Sequence, residues 1–167
     1  QNSGTRPTVA TTIALGLINA GVPPKHIIIW DKSEHDLREA GFFALADQLG
    51  VRVAGSAQAG YDPAIFYDTP LIGSLIWGDL EFGRTGESIG RKSYVSKLVT
   101  REMTKIINIT PLLNHNTAGG SGNLYGLTMG SVDNTMRFES EPSRLAGAVP
   151  EIYALPVLGD RVVLNVV

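Results

Sequence analysis

The chain has 167 residues, with 14 Lys and Arg against 16 Asp and Glu and a formal net charge of −2. That length suits a single domain spanning the whole sequence, able to bury roughly 70 % of its unfolded surface. The even charge, without a basic run or interleaved aromatic and basic residues, argues against a nucleic-acid partner. No apolar stretch reaches the roughly 20 residues needed to span a bilayer, so no transmembrane segment is expected. Cysteine is absent; this excludes disulfides, iron–sulfur ligation and thiol catalysis within the chain, and leaves the compartment open between cytoplasmic and exported.

The opening residues through Pro7 read as a loop feeding a helix. Thr5 is placed to cap it, and Pro7 suits its first turn. Val9, Ile13, Gly16, Leu17 and Ala20 then share one face at helical spacing. Gly21 stops the helix, and Pro23-Pro24 prevents its return. Ile27-Ile28-Ile29-Trp30 is a continuous apolar run, as in a strand covered on both faces, with Asp31 at its end. Ser33 and Asp36 open a second helix carrying Leu37, Ala40, Ala44 and Leu45 inward. Val51 to Ala54 forms the next strand. This α-β-α-β order with short links predicts a parallel sheet with right-handed crossovers.

From Gly55 to Gly90, glycines and the prolines Pro63 and Pro70 predict an irregular excursion, read as a lid over a site. Leu71-Ile72 and Leu75-Ile76-Trp77 are its short strands or hairpin. Ser93 then caps a helix with Val95, Leu98, Val99 and Met103 inward. Ile106 to Ile109 is a buried strand running into the glycine-rich loop Ala118-Gly119-Gly120-Ser121-Gly122. Pro142 starts a helix facing inward through Leu145, Val149 and Ile152, which Pro150 must bend or interrupt. Arg161 to Val167 is a last strand. It ends mid-pattern and the chain starts abruptly, so the expectation is a piece of a longer domain. The fold class expected is three-layer α/β, a mostly parallel sheet with helices on both faces.

The chemistry-bearing residues cluster at expected strand ends, where open α/β sheets place their ligands. Arg6 precedes a helix N-terminus, which favours anions, and its guanidinium suits a phosphate or carboxylate. The plain alternative is a surface arginine. His35 lies a few residues beyond the Ile27–Trp30 strand, and His115 just beyond the Ile106–Ile109 strand; imidazole there serves proton transfer or metal ligation. Asp31, Asn114 and Asp133 are the further metal-ligand candidates. Glycines at 119, 120 and 122 permit close backbone approach to a ligand. Ala118 to Gly122 is neither G-x-G-x-x-G nor a phosphate-binding loop ending in Gly-Lys-Ser/Thr, and Ser121 is in no G-x-S-x-G elbow. No cofactor is named by any of these residues.

The segment from Val95 to Asn134, with NITPLLNHNTAGGSGNLYGLTMGSVDN inside it, resembles domain-of-unknown-function family 362. That family pairs a strand with a histidine and a small-residue loop, then a Gly-x-Leu-Lys-Asn segment and often Gly-Ser-Val-Asn-Asn. The opening Gly4 to Gly41 is similar to the family's first helix–strand–helix. More distantly, Thr5-Arg6-Pro7, Ser33 to Asp36 and His115 to Gly122 resemble, in the same order, motifs in the N-terminal domain of nickel-pincer lactate racemase. The resemblance implies that Thr5 and Arg6 hold a phosphate. It also implies that His35 and His115 act as acid/base or metal-side groups, and that Ala118, Gly119, Gly120, Ser121, Gly122 and Tyr125 face a cofactor. Where both families place a lysine, which anchors the cofactor in the racemase, this chain has Tyr125. Gly126 replaces the neighbouring asparagine, and Glu139 a later histidine. A tyrosine cannot form the amine-derived linkage.

The sequence therefore supports a site for a phosphate- or carboxylate-bearing small molecule, with a racemase-like or metal-assisted proton-transfer enzyme as its active form. The alternative is a non-catalytic structural subunit of a larger assembly, with a decayed site. The resemblance to family 362, some of whose members carry iron–sulfur modules elsewhere in their chains, implies a redox accessory role as a third reading.

Overall fold

The computed structural model describes residues 4–69 and 92–167. Helix α1 (Pro7–Asn19) begins with Pro7 in its first turn, where the missing N–H has no intrahelical partner to lose. It ends at Gly21, which adopts φ 96°. Thr5 does not cap it. Arg6 holds the N-cap position, and Thr5 Oγ1 instead donates to the carbonyl of Ile109 at 2.6 Å. The inward face is also rotated from the expected one: Ala10 and Ala14 are buried, while Val9, Gly16 and Ala20 are exposed.

Strand β1 (Ile28–Asp31) pairs in parallel with β2 (Arg52–Gly55), Ile28 opposite Arg52 and Asp31 opposite Gly55. The single helix expected between them is two, α2 (Glu34–Glu39) and α3 (Phe42–Leu49). Gly41 divides them at φ 87°, a left-handed conformation that costs glycine little. Leu37 and Leu45 are buried as expected; Phe42 and Ala46 join them, and Ala44 is exposed. Ser33 sits at the N-cap without a side-chain capping bond, and the N–H of Glu34 donates to Gln58 Oε1 at 3.1 Å.

After β2 the chain is more regular than expected. A one-turn helix, α4 (Ser56–Ala59), leads into β3 (Tyr61–Asp68), which pairs antiparallel with β4 (Lys92–Ser96). The expected strands at Leu71-Ile72 and Leu75-Ile76-Trp77, and the lid they would form, lie outside the described residues. Ser93 is not a helix cap but a buried residue of β4, its Oγ donating to the carbonyl of Asn134 at 2.6 Å. Ser93 and Val95 are both buried, with Tyr94 between them half-buried, the two-residue period of a strand. The expected helix shrinks to a π-helical turn, Leu98–Glu102, which still buries Leu98 and Val99. Arg161 closes that turn by donating to the carbonyls of Val99 and Met103.

Strand β5 (Ile106–Ile109) is followed by a hairpin of β6 (Leu113–His115) and β7 (Gly119–Ser121). Helices α5 (Asn123–Ser131), α6 (Met136–Glu139) and α7 (Pro142–Tyr153) come next. Strand β8 (Val162–Val166) then pairs in parallel with β5. Pro150 lies inside α7, and the helix continues past it to Tyr153. The hydrogen bond that Pro150 removes would end on the carbonyl of Ala146. Ala146 is exposed, so water can serve that carbonyl. Two of the described ladders are parallel and two antiparallel, so the fold is mixed α/β.

The core falls into two clusters. Ala10, Leu37, Phe42 and Leu45 form one, with Ile29 of β1, Val53 of β2 and Ile109 of β5 packed on it. The other includes Val95, Ile106, Leu127, Phe138, Leu145 and Ile152, with Trp30 of β1 and Val162 of β8 against it. Neighbouring strand residues such as Ile29 and Trp30 thus serve opposite clusters, as the alternation of a strand dictates. A buried relay ties the halves together: Trp30 Nε1 donates to Ser56 Oγ at 2.7 Å, and Ser56 Oγ to the carbonyl of Gly130 at 2.9 Å. The run Gly130 to Asn134 is buried throughout and is bridged to β4 through Val132 and Val95. It belongs to the core and not to a ligand surface.

Candidate functional site

Three segments meet at the carboxyl end of β5. Asn108, buried within the strand, donates to the carbonyl of Asn123 at 2.7 Å and to Asn165 Oδ1 at 3.1 Å, and accepts from Thr110 Oγ1 at 2.9 Å. The N–H of Thr110 donates to Asn123 Oδ1 at 3.2 Å. The first residue of α5 is thereby pinned to the strand end. Thr5 binds the adjacent carbonyl of Ile109, bringing the Arg6 loop to the same end. Thr110 also lies against α5: a Cβ on Gly126 would fall 2.5 Å from Thr110 Cγ2, closer than side-chain atoms approach. Glycine at 126 is what allows the helix to seat there.

His115 closes β6 half-buried, with both ring nitrogens engaged. Nδ1 accepts the N–H groups of Thr117 and Ala118 at 3.2 and 3.0 Å. Nε2 lies 2.9 Å from the Tyr125 hydroxyl, with the two rings tilted and their centres 4.8 Å apart. Tyr125 donates to Glu139 Oε1 at 3.3 Å, and Glu139 Oε2 accepts from Thr135 Oγ1 at 2.9 Å. Since Nδ1 accepts two donors, the ring proton belongs on Nε2. The series then runs in one direction, from the imidazole through the phenol to the carboxylate. Burial, reinforced by the charge of Glu139 and the hydrogen bond to it, pushes the Tyr125 phenol up to about 12. It is a firm donor at neutral pH. Two of the three positions where the sequence departs from the resembled families, Tyr125 and Glu139, are thus bonded to each other, and Tyr125 also to the loop histidine.

Beside this series lies an open cleft of about 660 Å³. One wall is the hairpin loop and the start of α5, including Thr117, Ala118, Gly120, Gly122 and Tyr125; the other is α7, through Leu145, Ala146 and Val149. The first turn of α5 carries no side-chain cap, and its residues Asn123, Leu124 and Tyr125 line the cleft edge. Ser121 differs from its neighbours: it is buried in the hairpin, with Oγ turned to the carbonyl of Leu113. Gly119 takes φ 74° at the turn.

The remaining sequence candidates are exposed or bonded to neighbouring backbone. His35 is exposed on the first turn of α2, and Arg6 is exposed at the start of α1. The structure brings Arg6 to the β5 end but does not bond His35 to His115. Asp31 accepts the N–H of Lys32, and Asp133 the N–H groups of Tyr94 and Asn134. Among the described residues no three His, Asp or Glu side chains converge as metal ligands. Nor do the residues fit a covalently held pincer nucleotide, since the hydroxyl at 125 is a phenol committed to His115 and Glu139. Glu139 and Asn123 were absent from the sequence-based site. The substitution at 139 was the one available signal for the first; nothing in the spacing marked the second.

No family model, curated protein or solved structure matches the chain.

Proposed function

We propose that this domain binds a small anionic ligand, carboxylate- or phosphate-bearing with an apolar body, in the cleft between the β6–β7 hairpin and α7. The observation that carries the reading is the cleft itself, whose lining joins the first turn of α5, Asn123 to Tyr125, to the apolar side chains of α7. The ligand's charged head meets the N–H groups of the first turn of α5, where the helix dipole favours negative charge. Its apolar part lies on Leu145 and Val149. Arg6, brought to the same strand end by Thr5, adds positive charge nearby. Binding is better supported than racemase-like proton abstraction, because both nitrogens of His115 are in use and Tyr125 is a donor, not a base, at neutral pH.

Two further expectations belong to this reading. The resemblance to family 362 is kept as a proposed kinship resting on the residues quoted above. The β1–β2 and β5–β8 ladders are proposed to extend one another into the mostly parallel sheet of a three-layer domain. Ile29, Val53 and Ile109 sharing one cluster, and Trp30, Ile106 and Val162 the other, support it.

The test uses 2-naphthalenesulfonate, an anionic head on an apolar body that stays ionised at all working pH values. Titrated into the labelled protein, it is expected to shift the amide signals of Gly120, Gly122 to Tyr125 and Ala146. Ala146→Glu, an exposed site on the cleft wall, is expected to abolish those shifts without unfolding the protein. Shifts that map elsewhere, or that persist in the variant, would overturn the reading. The second reading, an assembly subunit, is favoured by Val163 at 56 % and Leu164 at 49 % exposure on β8. It predicts self-association or capture by a partner that Val163→Lys weakens.

A further inference from the structure

His115 does not only hold Tyr125; it holds its own loop. The N–H groups of Thr117 and Ala118 both point at Nδ1, while the Nε2 side faces Tyr125. A second proton on the ring can go only to Nδ1. There it would face two N–H donors and no acceptor, so both loop bonds are lost at once. The Nε2 bond to Tyr125 survives. Imidazole is the side chain whose charge changes between about pH 5 and 8. Thr117 and Ala118 are part of the cleft wall.

Among the described residues, the titratable groups facing His115 are Tyr125 from α5 and, through it, Glu139 from α6; β7, its hairpin partner, contributes Gly119, Gly120 and Ser121, none of which titrates. Across the cleft, the first turn of α7 holds Arg144 paired with Glu141 at 2.8 Å, a charge-balanced pair. The change on acidification is therefore confined to the Nδ1 side.

We infer that His115 is a pH-operated latch: neutral, it fixes the Thr117–Ala118 segment against the cleft; protonated, it releases that segment and alters the ligand site. As a device for controlling binding, the latch rests on the proposed ligand cleft, but its motion does not.

The experiment compares the wild type with His115→Asn and His115→Ala. An asparagine oxygen can take the place of Nδ1 as acceptor and does not titrate; alanine offers no acceptor. Residue-resolved amide exchange is measured from about pH 8 to about pH 5.5, while the His115 ring signals report its protonation. In the wild type, the protection of Thr117 and Ala118 is expected to fall by roughly fivefold or more as the ring protonates. In His115→Asn it should stay constant, and in His115→Ala it should be low throughout. Protection that holds while the ring titrates, or that falls equally in His115→Asn, overturns the latch. Titration of 2-naphthalenesulfonate at both pH values separates the two ideas. Loss of protection with no cleft-localised binding would leave the latch standing and sink the ligand reading. Cleft binding with unchanged protection would do the reverse.

Discussion

Gly126→Ala should destabilise the protein, although the same change in an ordinary helix stabilises it. Within α5, replacing glycine by alanine gains about 1 kcal/mol of helix propensity. Here the new methyl would fall 2.5 Å from Thr110 Cγ2 and 2.9 Å from Thr110 Oγ1. Relieving an overlap of that kind costs about 1–3 kcal/mol. If Thr110 rotates to make room, its bond to Asn108 Oδ1 is lost, a further cost of about 1 kcal/mol. The net expectation is a loss of about 1–3 kcal/mol, which lowers a urea midpoint by roughly 0.5–1.5 M for a slope of about 2 kcal/mol/M. Thr110→Ala removes both obstructing atoms. In that background, Gly126→Ala should turn neutral or stabilising by up to about 1 kcal/mol. The assay is urea unfolding of the four proteins of the double-mutant cycle, with a coupling of about 1–4 kcal/mol expected. An equal loss from Gly126→Ala in both backgrounds would refute the packing argument and with it the seating of α5 on the end of β5.

Two further expectations concern pH. Tyr67, through burial and its bond to Glu151, and Tyr125, through burial and Glu139, are each pushed up from 10.0 to about 12. Their raised values favour the folded state fully below pH 10, and that contribution disappears as pH rises from 10 to about 12. Absorbance titration of the phenols should show Tyr67 and Tyr125 ionising last, with Tyr61 also raised by burial; Glu139→Gln should bring one of the last two earlier, and no change would remove Glu139 from the series. Asp62 behaves oppositely: Arg101 first, and the N–H of Ala64 next, hold its carboxyl down to about 2. Its contribution is present above pH 3.8 and fades as pH falls to about 2. Asp62→Asn should therefore be less stable than wild type at neutral pH, with the two denaturation midpoints converging near pH 2; a constant gap would exclude the ion pair as the cause.

Much of the local structure was written in short stretches of sequence. Pro7 and Gly21 bound α1, Pro142 starts α7, and the apolar runs around Ile29 and Ile107 are strands with the parallel partners expected of a β-α-β order. These signals depend on a few adjacent residues: a fixed φ, a permitted positive φ, a run that must be buried. His115 was expected in a loop just beyond the Ile106–Ile109 strand; it instead ends a separate short strand, β6, paired with Gly119–Ser121 of the stretch expected as a glycine-rich loop. The sequence alone did not determine what polar side chains would bind. Thr5 and Ser33 read as helix caps, yet one binds the carbonyl of Ile109 and the other makes no capping bond. Ser93 read as a third cap and is a buried tie between β4 and Asn134. The same five residues, Lys92 to Ser96, fit a helical or a strand period, and pairing with β3 decided between them. Tertiary packing likewise joined His115 to Tyr125, and Tyr125 to Glu139, and left His35 exposed. A hydroxyl or ring nitrogen bonds whatever donor or acceptor lies within about 3 Å, and only the packing of β6, α5 and α6 brings His115, Tyr125 and Glu139 that close.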